Sequence, residues 1–141
     1  MNLPRLVTLP HLAAGTDLAF LALRASVGAF LVWGVWDNIT SAEHMAKFVK
    51  FLRQFGFPAP EFLAPFDVWV QFAIGAAFIL GLATRWAGLL CAVNFVIAIV
   101  MVDHFQGWRG SFGSMCLIAV GLVLATHGPG RYSVDRMLAR G

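Results

Sequence analysis

Two long apolar runs dominate the centre of the chain, at about residues 66–83 and 86–102, with a short polar break at Arg85 between them. From residue 68 onward, the one strongly polar side chain of the first run is Gln71, and that of the second is Asn94. A bilayer core is about 30 Å thick and a helix rises about 1.5 Å per residue, so each run is close to the length that crosses it. Because Arg85 must lie in water or among headgroups, the pattern predicts a transmembrane hairpin.

The same pattern predicts two further spans, at about residues 17–36 and 111–126. Between spans 1 and 2, residues 41–53 place apolar side chains at helical spacing and charged ones on the other faces, which indicates an amphipathic helix on the membrane surface. A short terminal helix is expected at about residues 134–140. The predicted fold class is an all-α membrane protein. It is a four-transmembrane-helix bundle with an amphipathic surface helix between spans 1 and 2, forming one membrane domain over residues 1–141.

Composition agrees with a chain whose main solvent is lipid. Of the 141 residues, 60% are hydrophobic and 12% are charged, and the mean hydropathy is +0.78. A soluble domain cannot cover so much apolar surface with so few charges. The isoelectric point is near 9.4, yet the basic residues are scattered, so we expect them to meet lipid headgroups and expect no nucleic-acid partner.

The distribution of Lys and Arg predicts the orientation of the bundle. Four spans put both termini on one side, which holds five basic residues against four on the opposite side. The positive-inside rule therefore favours a multi-pass protein of the inner (plasma) membrane with both termini in the cytoplasm. The basic residues of the terminal side are Arg5, Arg85, Arg131, Arg136 and Arg140.

Three strongly polar residues lie well inside the predicted spans, away from their ends: Arg24, Gln71 and Asn94. Counted from the span ends, Arg24 and Asn94 lie at similar depths from the terminal side, so these two side chains are expected to be able to meet. Arg24 has two interpretations, a functional group inside the membrane or a side chain that snorkels to the near interface. For Gln71 and Asn94, hydrogen bonding between helices is favoured over a ligand role, which stays open.

The outer face carries Asp37, His44, Asp103 and His104, which are either a small polar or metal site or, as we favour, a solvated rim. No metal site is expected, and haem ligation by two histidines is disfavoured because no histidine lies inside a span. The two cysteines of the chain are predicted to lie too far apart along the membrane normal for a disulfide. No nucleotide-binding loop, nucleophile motif or pair of carboxylates with catalytic spacing is present.

Three segments resemble the DoxX family of small four-helix membrane proteins. The first span is similar to the family's Leu-Arg…Gly…Phe pattern, residues 75–85 to its Gly…Leu-Gly-x-x-Thr-Arg hairpin, and residues 128–135 to its closing Gly-Pro-Gly-Arg-x-Ser-x-Asp. The resemblance implies a four-helix bundle linked to redox membrane complexes, such as thiosulfate:quinone oxidoreductase and terminal quinol oxidase. Other branches of the family serve methylamine-dehydrogenase maturation and secretory cargo export. The motif residues are Thr84, Arg85, Gly128, Pro129, Gly130, Arg131, Ser133 and Asp135.

The chain departs from this family in two places. Where the family usually has a Glu near the start of the second span, this chain has Gln71, and the family's His-Gly…Lys cluster is replaced at residues 33–38. An amide cannot exchange a proton at position 71, although it can still donate a hydrogen bond to a quinone carbonyl.

The resemblance leads to three functional hypotheses. We favour a non-catalytic integral-membrane subunit that anchors or assists a partner of a redox complex, in contact with lipids and other redox proteins. The alternatives are a self-contained quinone-linked oxidoreductase and a carrier of a small solute. No cofactor is expected to be covalently bound, and quinone is the candidate ligand, in a cleft for which five residues are named. The cleft residues are Arg24, Gln71, Asn94, Trp33 and Trp36.

Overall fold

The computed structural model describes residues 7–141, so residues 1–6, with Arg5 of the basic count, lie outside the described part. From residue 10 onward, six α-helices follow one another, with short 3-10 helices at Pro10–Gly15 and Asp103–Gln106. No strand occurs within residues 7–141. The helices are α1 (Thr16–Thr40), α2 (Ala42–Gln54), α3 (Pro60–Leu80), α4 (Thr84–Met101), α5 (Gly107–His127) and α6 (Val134–Leu138).

Within residues 7–141, four helices are long and apolar enough to cross a membrane, namely α1, α3, α4 and α5. This confirms the all-α membrane fold with four spans. Helix α2 has the bounds expected for the surface helix to within one residue, and the side chain of Ser41 caps its start by accepting the N–H of His44 at 3.4 Å. Its position along the membrane surface stays a prediction.

The second span begins six residues before the predicted position 66. The predicted span began only after Pro65, whereas the helix begins at Pro60, a first helical position at which the missing N–H of proline costs no intrahelical hydrogen bond. Pro65 then lies just over one turn into α3, where its missing N–H removes one intrahelical bond near the helix end. An exposed salt bridge between Arg53 and Glu61 joins the end of α2 to this first turn.

The four spans form two closely packed pairs, α1 with α3 and α4 with α5. Each pair crosses where glycine meets glycine. A Cβ built at Gly28 would lie 2.6 Å from the carbonyl oxygen of Gly75, and one built at Gly88 would lie 2.5 Å from that of Gly121. Small residues at such crossings let helix backbones approach closely in lipid. The seam between α3 and α4 is less extensively packed than either pair.

The two ends of the bundle differ. At the end that bears the C terminus, the carboxylate of Asp17 at the start of α1 accepts the backbone N–H of Arg131 at 3.1 Å. The turn between α3 and α4 lies at this same end, because Asp135 hydrogen-bonds to it. We call this the terminal end. The opposite end holds the α1–α2 corner and the turn at Asp103–Gln106.

Candidate functional site

A cavity of about 550 Å³ lies toward the opposite end, between the second half of α4, the first half of α3, and α2. Its walls are aromatic and aliphatic, and four polar side chains interrupt them. The volume falls in the range of small-molecule sites, which are mostly apolar with a few placed polar groups. The apolar walls include Phe48, Phe51, Phe57, Phe66, Phe95 and Met101, and the polar residues are Asp67, Gln71, Asn94 and Asp103.

Helix geometry sets three of the polar groups against one another. Asp67 and Gln71 are four residues apart on α3, so they share one face of the helix. Asn94 faces them from α4, with its side-chain amide directed toward the Asp67 carboxylate. All three residues are half-buried. The result is a carboxylate and two amides on one wall of an otherwise apolar cavity.

Gln71 also joins two helices. Its Nε2 donates to the carbonyl oxygen of Leu31 on α1 at 3.3 Å. Gly34 of α1 lies beside this contact, since a Cβ there would be in ordinary van der Waals contact with the same nitrogen at 3.5 Å. Gln71 therefore takes part in both roles considered from the sequence: it bonds between helices and it lines the cavity. Its amide oxygen has no hydrogen-bond donor within residues 7–141.

Asp103 lies at the rim of the cavity and belongs to a local network. Its carboxylate accepts a hydrogen bond from the hydroxyl of Ser114, and its backbone carbonyl accepts one from Ser111 Oγ at 3.0 Å. These bonds hold the 3-10 turn against the start of α5. Asp103 is thus already paired, whereas the amides of the cavity retain unused hydrogen-bonding groups.

Arg24 lies elsewhere, which corrects two expectations. It does not meet Asn94, and it does not line the cavity. Its side chain is 1% exposed and donates to the backbone carbonyl of Tyr132 at the terminal end. The depth count compared Cα positions, whereas the long side chain of Arg24 turns toward the terminal end, which is the direction of the snorkelling interpretation. The guanidinium is buried under the C-terminal segment instead of snorkelling into lipid headgroups.

The closing motif forms a plate over the terminal end, which we call the terminal plate (residues 128–135). Asp135 accepts the backbone N–H groups of Ala83 at 2.7 Å and Thr84 at 2.9 Å, so it caps the start of α4 from a distant part of the sequence. Its own N–H donates to the carbonyl of Gly81 at 2.9 Å. Ser133 Oγ donates to the carbonyl of Gly130 at 3.0 Å and caps α6.

Arg85 makes a second set of contacts at the terminal end, with the last residues of α5. Its guanidinium donates to the carbonyl oxygens of Ala125 at 2.9 Å and Thr126 at 2.6 Å, and reaches that of His127 at 3.4 Å. These are the carbonyl groups that the end of a helix leaves without a partner. Arg85 therefore caps α5, and the motif residues at this end join helix termini.

The two tryptophans assigned to the cleft face away from it. Trp33 is 75% exposed and Trp36 is 50% exposed, and neither lines the cavity. The buried face of α1 carries Gly28, Leu31 and Val35, and Trp33 lies on the opposite side of the helix. Their exposure fits a belt of aromatic side chains at the membrane interface.

The four outer-face residues do not assemble into one site. In the part of the chain from residue 7 onward, no three His, Cys, Asp or Glu side chains lie close enough to hold a metal ion. His104 Nδ1 lies 3.0 Å from the carbonyl of Ile99, and its ring packs against Phe105 with centroids 3.8 Å apart. Asp37 and His44 lie at the α1–α2 corner. Cys91 is buried and Cys116 is exposed, and both are free thiols.

The sequence interpretation missed Asp67. This residue lies at the start of the predicted second span, where a polar side chain is ordinary because a membrane interface is expected there. The available signal was the four-residue spacing between Asp67 and Gln71, which places both side chains on one helical face. The earlier start of α3 at Pro60 puts Asp67 two turns inside the helix.

Comparisons with known proteins agree with this description. The chain is 28% identical over 127 residues to the inner membrane protein YqjF of Escherichia coli, covering 86% of this chain and 93% of that protein. It is 32% identical over 102 residues to the uncharacterized membrane protein Rv3486 of Mycobacterium tuberculosis, covering 62% of this chain and 63% of that protein. The chain thus matches less than two thirds of the mycobacterial relative's length. No solved structure matches it.

The sequence profile of the DoxX family matches residues 19–104, which contain all four polar residues of the cavity. Four helices able to span a membrane and relatives named as membrane proteins agree with that match. The chain is a multi-pass membrane protein of the DoxX family.

Proposed function

We propose that this protein is a small integral-membrane subunit of a redox-linked membrane complex, and that its cavity binds the head of a quinone. The observation that carries the proposal is the group formed by Asp67, Gln71 and Asn94 inside an apolar cavity between α2, α3 and α4. A quinone head is a flat apolar ring with two carbonyl acceptors, and its reduced form carries two hydroxyl donors.

The polar group suits both redox forms of such a ligand. An amide N–H donates to a quinone carbonyl, and a carboxylate or an amide oxygen accepts from a quinol hydroxyl. Asn94 offers both kinds of group, and the Gln71 amide oxygen is unengaged within the described residues. The phenylalanine walls supply flat apolar surface for the ring, and offset aromatic contacts add to what burial alone gives.

The chemistry of these side chains favours a subunit over a self-contained enzyme. Neither a carboxylate nor an amide changes oxidation state, so a partner supplies or removes the electrons in this proposal. The protein holds and orients the quinone, and Asp67 accepts a hydrogen bond from the quinol. The exposed tryptophans and the apolar outer faces of the spans provide surface for lipids and for a membrane partner.

The experiment uses the full chain in nanodiscs that contain a photoactivatable quinone analogue. We expect labelled peptides from α3 and α4 near the cavity, and competition by unlabelled quinone. Gln71→Leu and Asn94→Leu are expected to reduce labelling several-fold. Gln54→Leu is the matched control, because this exposed amide ends α2 outside the cavity.

Equal labelling of the Asn94→Leu variant and the wild type would contradict quinone binding at this site. Purification in mild detergent then separates the functional classes. Redox subunits that co-purify support the subunit role, and quinone reduction by the isolated chain supports the oxidoreductase alternative. Solute uptake by proteoliposomes containing the chain alone supports the carrier.

We further propose that both termini face the cytoplasm. Arg85, Arg131, Arg136 and Arg140 all belong to the terminal end, and the positive-inside rule places such an end in the cytoplasm. Reporter fusions at the C terminus test this orientation. A fluorescent protein that matures only in the cytoplasm is expected to be active there, and an active periplasmic alkaline phosphatase at the same position would reverse the orientation.

A further inference from the structure

A second cavity lies at the terminal end, on the far side of the bundle from the quinone proposal. It holds about 300 Å³ and is lined by Arg85, Arg131, Arg136, His127 and Asp17, with Pro129 and Gly130 as its floor. We call it the cationic cleft. We propose that the cationic cleft binds the phosphate of an anionic phospholipid, and that an adjacent groove on α1 holds one of its acyl chains.

The charges around the cleft are strongly unbalanced. Three arginines line it against one carboxylate, and none of the three forms a salt bridge within residues 7–141. Asp17 is already engaged, since it accepts the N–H of Arg131 at 3.1 Å. Arg24 is buried behind the terminal plate, and the charge of Asp135 lies close to it. The two carboxylate oxygens of Asp135 accept hydrogen bonds from backbone N–H groups.

The backbone holds the cleft in shape without using the cationic side chains of Arg131 and Arg136. Arg131 is fixed through its main-chain N–H to Asp17, and Arg136 through its main-chain N–H to Ser133 Oγ at 3.3 Å. Their exposed guanidinium groups stay available. Arg85 is held by the last carbonyls of α5, which fixes its guanidinium at the edge of the cleft.

Guanidinium groups in this arrangement favour a phosphate. Arginine presents N–H donors in a planar fork that matches two phosphate oxygens, and the resulting charge-assisted bonds are about twice as strong as neutral ones. The phosphodiester of a phospholipid presents two non-bridging oxygens, which share one negative charge and match this fork. The cleft also lies at the end of the spans, which is the level of lipid headgroups.

An apolar groove continues from the cleft along α1. It has a volume of about 450 Å³ and is lined by Leu12, Gly15, Thr16, Ala19, Phe20 and Leu23. Phe20 joins the two sites, because its ring stacks on His127 of the cleft with centroids 3.9 Å apart. A Cβ at Gly130 would lie 3.4 Å from Phe20 Cβ, so a residue that lines the cleft lies next to a residue that lines the groove. A headgroup and an acyl chain of one lipid fit this continuity, whereas free phosphate uses the cleft alone.

The test measures lipid binding to the purified full chain. The chain is delipidated in detergent, and phosphatidylglycerol, phosphatidylcholine or inorganic phosphate is added before native mass spectrometry and thermal unfolding. We expect retained phosphatidylglycerol and a raised midpoint with that lipid. We expect no comparable effect of phosphatidylcholine, whose headgroup is neutral overall, or of inorganic phosphate.

The variant is the double substitution Arg131→Gln/Arg136→Gln, which keeps the backbone contacts of both residues. It is expected to weaken phosphatidylglycerol binding by about tenfold or more. Arg140→Gln is the control at the same end outside the cleft, and Arg109→Gln is the control at the opposite end. Both controls are expected to bind as the wild type does.

Three outcomes would overturn the proposal. Equal phosphatidylglycerol binding by the double variant and by Arg140→Gln would mean that general surface charge is responsible. Protection by inorganic phosphate equal to that by phosphatidylglycerol would assign the cleft to a free anion. Phe20→Ala binding phosphatidylglycerol with unchanged affinity would remove the acyl chain from the groove.

Discussion

The substitution Gly88→Ala tests how the two spans α4 and α5 hold together. The new Cβ would lie 2.5 Å from the carbonyl oxygen of Gly121 and 2.7 Å from the backbone nitrogen of Ala125. A carbon normally approaches a carbonyl oxygen to about 3.3 Å, so the helices must separate by roughly 0.8 Å. Both neighbours are backbone atoms, so no side-chain rotation can relieve the contact.

The expected cost follows from these distances. Overpacking costs about 1–3 kcal/mol, and a contact with rigid backbone on both sides belongs at the upper end of that range. Alanine also favours a helix over glycine by up to about 1 kcal/mol, which offsets part of the loss. The net loss in the free energy of unfolding is expected to be about 2 kcal/mol.

Gly113→Ala is the matched control, because a Cβ at that position of α5 meets nothing within 4 Å. Both substitutions gain the same helix propensity, so the difference between the two variants isolates the packing cost. We expect this difference to be about 3 kcal/mol. The assay is equilibrium unfolding of the detergent-solubilised chain by titration with sodium dodecyl sulfate, followed by far-UV circular dichroism.

The reasoning is refuted if the two variants unfold with the same free energy to within about 0.5 kcal/mol. That result would mean that α4 and α5 do not approach through Gly88 and Gly121, and that the pairing of the spans is different. A loss confined to Gly113→Ala would reverse the assignment of the inner and outer faces of α5.

Three further predictions concern the terminal plate and the thiols. Asp135→Ala is expected to lower the free energy of unfolding by about 1–2 kcal/mol. Asp135→Asn is expected to lower it by about half of that, because one acceptor oxygen remains, and the same titration measures both variants. Gly81→Ala is expected to cost roughly 2 kcal/mol or more, because φ is +67° and the new Cβ would overlap Arg24 Nη1. A variant as stable as the wild type would contradict the burial of that guanidinium. A small membrane-permeant maleimide is expected to label the exposed Cys116 in the folded protein. It is expected to label Cys91, which is 0% exposed, only after unfolding, and mass spectrometry of the labelled peptides measures both.

The sequence predicted the number of spans because their signal is length. An apolar run of about 20 residues is hard to place anywhere except across a bilayer, and this holds whatever the neighbouring helices do. The amphipathic pattern of α2 gave its bounds to within one residue for the same reason: the pattern is local. Prolines gave the weakest information, since the second span was predicted to begin at residue 66, after Pro65, and Pro65 lies inside α3.

The faces of the spans could not be predicted in the same way. Apolar residues surround each span, so composition does not mark the side that faces a neighbouring helix. Trp33 and Trp36 were therefore placed in a cleft, whereas they face outward. Arg24 failed for a second reason, because its binding partner is the backbone of Tyr132, more than a hundred residues away, and no local pattern indicates such a contact.

The packing of the bundle explains why the ligand cavity lies where it does. Glycine contacts hold α1 against α3 and α4 against α5, which leaves the seam between α3 and α4 as the less closely packed one. At the terminal end this seam is closed by the turn at Gly81 and by Asp135. At the opposite end, within residues 7–141, the two helices approach through the side chains of Asp67 and Asn94 without a connecting turn, and the space between them is covered by α2. A ligand can therefore be accommodated at the opposite end without breaking either glycine-packed pair. It follows that Asp135→Asn should lower the free energy of unfolding and leave quinone labelling of the folded protein unchanged. Asn94→Leu should reduce quinone labelling and leave the free energy of unfolding unchanged. If both properties changed in both variants, the two ends of the bundle would not be independent.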